Sequence, residues 1–356
     1  MRPLALLPLC LASASAHTQV PVEIQWSALN AFGSEALAAI APPRLCADNG
    51  RTAWMLYDLA LQWTTSDGII RRFDQHGVPL TGSWPEVGYI GCGSLDRPID
   101  FVVRNDSLWG ISYRQFLSGD QDILYCAQAP GGSYEPDHAA NGPALADVVF
   151  DLFVSGSGWY LCSGSMVSFN EMEGRILKLD HSANVLWETP MGPATFGNLT
   201  RLARKGDSLA LAAFPLLFWL DTSNGAVIGS AVLYEAEEGS GRITVHDGQL
   251  SWAVSTGGAL RFGRLGADGE PLWSGSTSAH SVAGIGVDDQ GRLWIGGSVP
   301  GSGMITCISP DGMPMGTWPY AASISDLRFA DGRLLWTGKF EQGSDASYLI
   351  STIPQP

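Results

Sequence analysis

A turn phrase repeated seven times, short β-rich runs between the repeats, and a strand missing at one end of the chain but spare at the other predict an all-β fold. Together they specify a seven-bladed β-propeller of four-stranded antiparallel blades, the last blade closed by the N-terminal strand. The phrase is clearest at Asp331-Gly332-Arg333-Leu334-Leu335-Trp336. It recurs at Gln290-Gly291-Arg292-Leu293-Trp294, Asp247-Gly248-Gln249-Leu250 and Asn105-Asp106-Ser107-Leu108-Trp109. Looser copies are Gly206-Asp207-Ser208-Leu209, Gly156-Ser157-Gly158-Trp159 and Asn49-Gly50-Arg51-Thr52-Ala53.

The first apolar residues after these turns are Ala53, Leu108, Trp159, Leu209, Leu250, Leu293 and Leu334, at intervals of 55, 51, 50, 41, 43 and 41 residues. Periods of about 40–50 residues signal propellers or solenoids. No unit carries a 3.6-residue apolar period long enough for a helix, which excludes the helical solenoids. One unit shows the internal plan. Ser281–Val287 reads as strand a, Leu293–Gly297 as b, Met304–Ile308 as c, and Met315–Trp318 as d after the turn Pro310-Asp311-Gly312. The c–turn–d phrase returns at Arg175–Asp180 with Val185–Trp187, at Leu260–Leu265 with Pro271–Trp273, and at Ile69–Asp74 with Val78–Leu80. The apolar run Leu209–Leu220, divided by Pro215, reads as a buried hairpin.

The seventh unit lacks a d strand after Tyr348–Thr352, and Val22–Ala28 is a strand without a unit. Pairing the two removes the open edge of the ring and makes residues 17–356 one domain. The early units carry extra residues at 82–97, 131–143 and 163–174, expected as long loops on one binding face.

Residues 1–16 read as a secretory signal: Arg2, the apolar run Leu4–Leu11, and Ala14-Ser15-Ala16 before the cleavage point. The expected location is therefore secreted or periplasmic; lipid attachment at Cys10 is the alternative. No apolar run is long enough to span a bilayer as a helix. The net charge of −15 and the absence of a basic run exclude a nucleic-acid partner. Cys46, Cys92, Cys126, Cys162 and Cys307 would remain after cleavage. Cys46–Cys92 and Cys126–Cys162 are candidate disulfides, leaving Cys307 as the odd thiol.

Phrases such as Ala267-Asp268-Gly269-Glu270-Pro271-Leu272-Trp273 resemble the quinoprotein-type propeller repeat, and the Asp-Gly-Arg-Leu phrases resemble secreted bacterial propeller repeats. The resemblance implies the fold and allows a scaffolding role. The adjacent cysteine pair that holds the quinone cofactor in that family does not occur in this sequence.

The innermost strand of a propeller blade lines the axial channel. Counting back eight residues from each aligned apolar residue gives Leu45 (beside Arg44), Asp100, Asp151, Arg201, Arg242, Ile285 and Asp326. Charged residues are 15% of the chain, yet they dominate this row. Arg44, Asp100, Asp151, Arg201, Arg242 and Asp326 are thus the candidate ligand-binding residues, for a polar or zwitterionic ligand or a divalent cation at the carboxylates. No other cofactor is expected. Trp26, Trp187, Trp273 and Trp318 recur at one strand position and are expected to pack blade against blade. His76, His138, His181, His246 and His280 occupy non-equivalent positions and read as turn or surface residues.

The sequence lacks a nucleophile elbow, a P-loop and a dinucleotide fingerprint. The reading favoured is an exported, monomeric, non-catalytic binding or scaffolding propeller that engages a protein or glycan on its long-loop face. The alternative is a metal-assisted lactonase or lyase working through the channel carboxylates.

Overall fold

The computed structural model describes residues 22–31, 39–48, 52–60, 66–74, 76, 78, 88–90, 96–104, 107–115, 121–128, 135–140, 147–155, 157–168, 171–180, 184–192, 200–235, 239–278, 280–320, 323–330, 332–339 and 346–354. Side chains are described at 45, 73, 74, 76 and 78 and, within those ranges, from 149 to 338 except 166–172 and 200. The signal segment lies outside them.

The described residues are almost wholly β. In chain order the strands are β1 (Val22–Ala31), β2 (Ala39–Asp48), β3 (Thr52–Ala60), β4 (Ser66–Phe73), β5 (Gly88–Ile90), β6 (Asp96–Arg104), β7 (Ser107–Gln115), β8 (Gln121–Gln128) and β9 (Glu135–Ala140). Then come β10 (Asp147–Ser155), β11 (Gly158–Ser168), β12 (Glu171–Leu179), β13 (Val185–Pro190), β14 (Thr200–Lys205), β15 (Ser208–Ala213), β16 (Leu216–Asp221) and β17 (Val227–Val232). The remainder are β18 (Ser240–His246), β19 (Gln249–Thr256), β20 (Ala259–Leu265), β21 (Pro271–Ser278), β22 (Gly284–Val287), β23 (Leu293–Val299), β24 (Ser302–Ile308), β25 (Pro314–Tyr320), β26 (Ser323–Ala330), β27 (Arg333–Lys339) and β28 (Ala346–Pro354).

They form seven four-stranded sheets, and every pairing is antiparallel between neighbours in sequence except one. In that one, β1 lies beside β28, running from Val22↔Pro354 to Ala31↔Ala346, in the sheet β1-β28-β27-β26. The N-terminal strand therefore sits where the sequence places it. The Leu209–Leu220 run is the β15–β16 hairpin, as expected.

Each sheet is too small to stand alone, and its apolar faces are buried by its neighbours. The cores show this directly. Tyr160, Cys162 and Trp187 of the third sheet cluster with Leu202, Leu209 and Leu220 of the fourth. Phe214 and Leu217 of the fourth pack with Ile243 and Trp252 of the fifth. Phe262 of the fifth meets Val287 and Ile295 of the sixth. Trp294 and Ile305 of the sixth meet Leu327 and Trp336 of the seventh. Each of these clusters draws on two consecutive sheets.

The repeated phrases are the turns that make this stacking regular. In Asp247-Gly248 both residues have positive φ, 47° and 72°, the type I′ geometry that suits a two-residue hairpin. The c–d turns use a different device. Asp74 and Asp180 donate their N–H to Val78 and Asn184 four residues on, and their Oδ1 atoms accept the N–H of those same residues. Ser309 closes onto Met313 in the same way. The d-strand tryptophans then lock sheet to sheet. Trp187 Nε1 donates to Thr222 O and Trp273 Nε1 to Pro310 O, each in the c–d turn of the next sheet. A Cβ on Gly225 or Gly312 in those turns would lie under 3 Å from the indole. Trp318 instead stacks on Trp294 of its own sheet at 5.7 Å and packs against the cluster shared with the seventh sheet. Trp26 lies outside the described side chains.

Within the lengthened segments the described residues are strands, and 82–87, 91–95, 131–134, 141–143 and 169–170 lie outside the described residues. Residues 163–168 and 171–174 belong to the extended β11–β12 hairpin, and 135–140 form the outer strand β9 of the second sheet. The outer strand of the first sheet is Gly88–Ile90, ten residues beyond the expected Val78–Leu80, although the Asp74–Val78 bond closes the turn where expected. Where the extra length is described it lies in strands, whose added ladder residues satisfy their own backbone groups.

Deleting Val22–Ala31 is expected to abolish the cooperative thermal transition followed by circular dichroism, since it strips β28 of its outer neighbour. A truncated chain that melts like the intact one would show that the pairing contributes nothing.

Candidate functional site

Strand register defines the axial row more firmly than counting does. The residue on each inner strand that faces the third residue after the turn anchor is Arg44 (↔Leu56), Asp100 (↔Ile111), Asp151 (↔Cys162), Arg201 (↔Ala212), Arg242 (↔Ala253), Gly284 (↔Gly296) and Asp326 (↔Thr337). Five of the counted positions hold. In the first and sixth sheets the inner hairpin is one residue longer. Arg44 therefore takes the place of Leu45, and Gly284 that of Ile285. Leu45 and Ile285 are buried apolar residues instead. The side chains of Arg44 and Asp100 lie outside the described residues.

The inner strands with aspartate share a further feature. A register shift falls immediately before Asp100, Asp151 and Asp326, and before Arg44 in β2 as well, whereas β14, β18 and β22 pair without interruption. A bulge re-aims the side chain that follows it. Here it aims the carboxylate sideways. Asp151 Oδ2 accepts the N–H of Leu202 at 2.7 Å, and Asp326 Oδ2 accepts the N–H of Leu45 at 2.9 Å. Each acceptor reaches the inner strand of the next sheet, just behind the row arginine. Arg201 Nη1 donates back to Phe150 O at 3.3 Å, so the third and fourth sheets are clasped in both directions. Asp326 is buried, accepts also from Leu327 N, and lies 3.5 Å from Arg328 Nε. A Cβ at Gly284 would meet Leu327 N at 2.2 Å and Asp326 Oδ1 at 2.9 Å, so only glycine lets these two strands lie so close.

The inner strands line a cavity of about 340 Å³. Its described walls include Asp151, Arg201, Arg204, Arg242, His246, Asp326 and Arg328. Arg204 and Arg328 escaped the sequence reading because it took one residue per unit, and His246 was expected at a turn or surface. Arg328, two residues beyond Asp326, was legible by strand alternation, and so was His246, four beyond Arg242; Arg204, three beyond Arg201, was not.

Charge elsewhere is structural. Buried Asp288 accepts from the N–H groups of Gln290 and Arg292 through Oδ1, and from Arg292 Nε at 2.6 Å and Trp294 Nε1 at 2.9 Å through Oδ2. The phrase Gln290–Trp294 is thus tied up by its own arginine and tryptophan. Arg264 bonds Ser251 Oγ and Gly291 O beneath Trp273, and burial lowers its guanidinium pKa.

His280, expected at a turn or surface, is buried: Nδ1 lies 2.7 Å from Ser281 O and Nε2 2.9 Å from Thr306 Oγ1. A carbonyl can only accept, so Nδ1 carries the proton and Nε2 accepts from the threonine. Burial holds its pKa below the ordinary histidine value. His76 is exposed, His246 faces the cavity, and His138 and His181 lie outside the described side chains. Cys162 and Cys307 are both buried thiols, so the candidate Cys126–Cys162 disulfide is not formed. Desolvation raises the Cys307 pKa to about 12. Cys46, Cys92 and Cys126 lie outside the described side chains. Among the described residues no three His, Cys, Asp or Glu side chains converge on one point as metal ligands.

A row of exposed apolar residues follows the c–d turns. Val78, Val185, Leu186, Val227, Ile228, Leu272 and Met313 are each roughly half exposed, at 48–60%. Leu186, Ile228 and Leu272 hold one equivalent position at the outer rim of the third, fourth and fifth sheets, Val185 and Val227 stand one residue before it, and Val78 and Met313 one residue earlier still, at the c–d turns of the first and sixth sheets.

The architecture is that of a β-propeller, and solved structures share it. The chain superposes on Raptor from Chaetomium thermophilum with a TM-score of 0.65 at 11% identity, covering 95% of this chain and 29% of that one. A catalytically inactive virginiamycin B lyase from Staphylococcus aureus, solved with quinupristin, gives 0.59 at 11% identity, covering 92% and 99%. BamB from Moraxella catarrhalis gives 0.46 at 12% identity, covering 93% and 99%. No protein-family model matches the chain, and no curated protein matches it in sequence. At these identities the likenesses show the fold alone.

Two predictions follow from this geometry. Asp326→Ala leaves the buried Leu45 N–H without its acceptor and is expected to cost about 2 kcal/mol in urea denaturation, whereas Asp326→Asn, which keeps an acceptor oxygen, costs less. Equal losses would mean that charge, not the clasp, matters. For His280 the folded state resists protonation, so the unfolded chain binds more protons below about pH 6.5 and stability falls as pH drops through that window. His280→Gln is expected to flatten that slope in melts between pH 7.5 and 5; an unchanged slope would assign it to other groups.

Proposed function

We propose that the chain is an exported, non-catalytic seven-bladed β-propeller, one domain over residues 17–356 after a signal at 1–16, that scaffolds a macromolecular partner in the periplasm or outside the cell. The observation that carries this reading is the apolar rim. Single exposed apolar residues are ordinary on any surface. Here they recur just after the c–d turn in five sheets, with Leu186, Ile228 and Leu272 at one equivalent position in three of them, and an apolar surface of that kind favours a protein contact. The face of the lengthened segments at 82–97, 131–143 and 163–174, first expected to hold the partner, is the other candidate surface.

The metal-assisted lactonase or lyase reading has less support. It needs carboxylates facing the channel, and Asp151 and Asp326 each accept a backbone N–H from the neighbouring sheet. The likeness to a lyase extends to the fold only. Resemblance of the repeats to quinoprotein-type propellers accords with export and with a scaffolding role.

The test is a pull-down with the tagged full chain against a bacterial envelope extract, with retained proteins identified by cross-linking. Substituting Leu186, Ile228 and Leu272 together by Ser is expected to reduce retention of the specific partner at least tenfold, while Asp326→Asn retains it. A partner held equally by both variants would overturn the rim assignment. A hydrolytic or eliminative activity lost with Asp326→Asn in a folded protein would favour the enzyme.

A further inference from the structure

We infer that the axial channel is a binding site for a small organic oxyanion, a molecule presenting carboxylate, phosphate or sulfate, held chiefly by Arg242 and Arg328. This goes beyond the partner-scaffold reading and does not depend on it.

Charge distribution is the first observation. The chain carries 20 basic and 35 acidic side chains, yet four arginines and two aspartates line the described channel wall. The sign of the described wall is thus opposite to that of the molecule. A concave, low-dielectric wall of one sign concentrates counter-ions far more than the same charges on an open surface.

The second observation is what the aspartates do. Asp326 is buried and accepts from Leu45 N and Leu327 N, and Asp151 accepts from Leu202 N. Both carboxylates are anchored by N–H groups of the seams between sheets, and Asp326 Oδ2 also lies 3.5 Å from Arg328 Nε, so Arg328 meets a ligand through its terminal nitrogens. The zwitterion or divalent cation first expected here would need carboxylates aimed at the axis.

Placement is the third. Arg242 and Arg328 stand on the inner strands of the fifth and seventh sheets. Between them the sixth contributes Gly284 and Gly286, which add no side chain. The result is a bay with a guanidinium on each side and the neutral hydroxyl of Thr244 beside it. A planar fork of donors matches the paired oxygens of carboxylate, phosphate and sulfate. About 340 Å³ suits a metabolite-sized ligand, not a polymer.

Isothermal titration calorimetry of the full chain with citrate, pyrophosphate and sulfate, against glucose and choline as neutral and cationic controls, tests this. Saturable one-to-one binding of at least one anion is expected, weakening with added salt and absent for both controls. The anion that binds best identifies the headgroup. Arg242→Gln or Arg328→Gln is expected to raise Kd about tenfold or more, and Arg333→Gln, at a turn outside the channel, to leave it unchanged. Each variant is first checked for a cooperative melt, and if one fails the other decides. No saturable binding by the wild type, binding retained in the folded variants, or an equal loss in Arg333→Gln would each overturn the proposal. The titration contains no macromolecule, so a negative result leaves the rim reading standing, and a failed pull-down leaves the channel reading standing.

Discussion

Face-to-face burial between consecutive sheets is the interaction on which the rest of this structure depends. Each of the apolar clusters in the third to seventh sheets takes side chains from two of them, so a sheet acquires its core only from its neighbours. Burial of aromatic and branched side chains at about 25 cal/mol per Å² makes these seams the main source of stability. That constraint explains the aromatic spacing. Trp187 and Trp273 fill the seam and also donate across it, and the turn glycines Gly225 and Gly312 exist to receive them. A tryptophan on one sheet and a glycine on the next form a pair that neither unit displays alone.

The same constraint becomes sharper toward the axis, where the inner strands converge. There is less room for side chains in the seam, and polar groups replace apolar ones. The structure meets this in two ways. Gly284 removes a side chain so that the sixth and seventh sheets can touch backbone to backbone. Elsewhere a bulge turns an aspartate toward the N–H of the following inner strand. A buried N–H without an acceptor is costly, and a charged acceptor satisfies it at short range.

Much of the architecture was legible because its signals are local. Asp-Gly turns, apolar runs and the Leu-Asp openings of the c–d turns act over two to five residues, and they set the period of the whole chain. The closing strand was legible because Val22–Ala28 had no unit of its own. The role of the row aspartates was not legible. Asp151 and Asp326 bond residues 51 and 281 positions away, and nothing near them in sequence marks the acceptor. The count fell one position off in the first and sixth sheets, on Leu45 beside the named Arg44 and on Ile285 in place of Gly284, because two inner hairpins are one residue longer, a difference that counting cannot see and pairing can. His280 was misread for a related reason: its partner Thr306 lies on another strand of the sheet.

Once the aspartates are assigned to the seams, the charges of the axial row separate into two jobs. An acid that accepts a backbone N–H is held by geometry and cannot turn to a ligand without leaving that N–H bare. An arginine on a neighbouring strand is under a weaker constraint, because its long side chain can keep a carbonyl contact and still present its planar face to the axis. A ring that uses acids for cohesion therefore leaves basic character along its channel, even in a strongly acidic chain. The proposed binding at the axis and the proposed partner contact at the rim then draw on different residues. The seam between them, built from Trp, Gly and Asp, is free to serve stability alone.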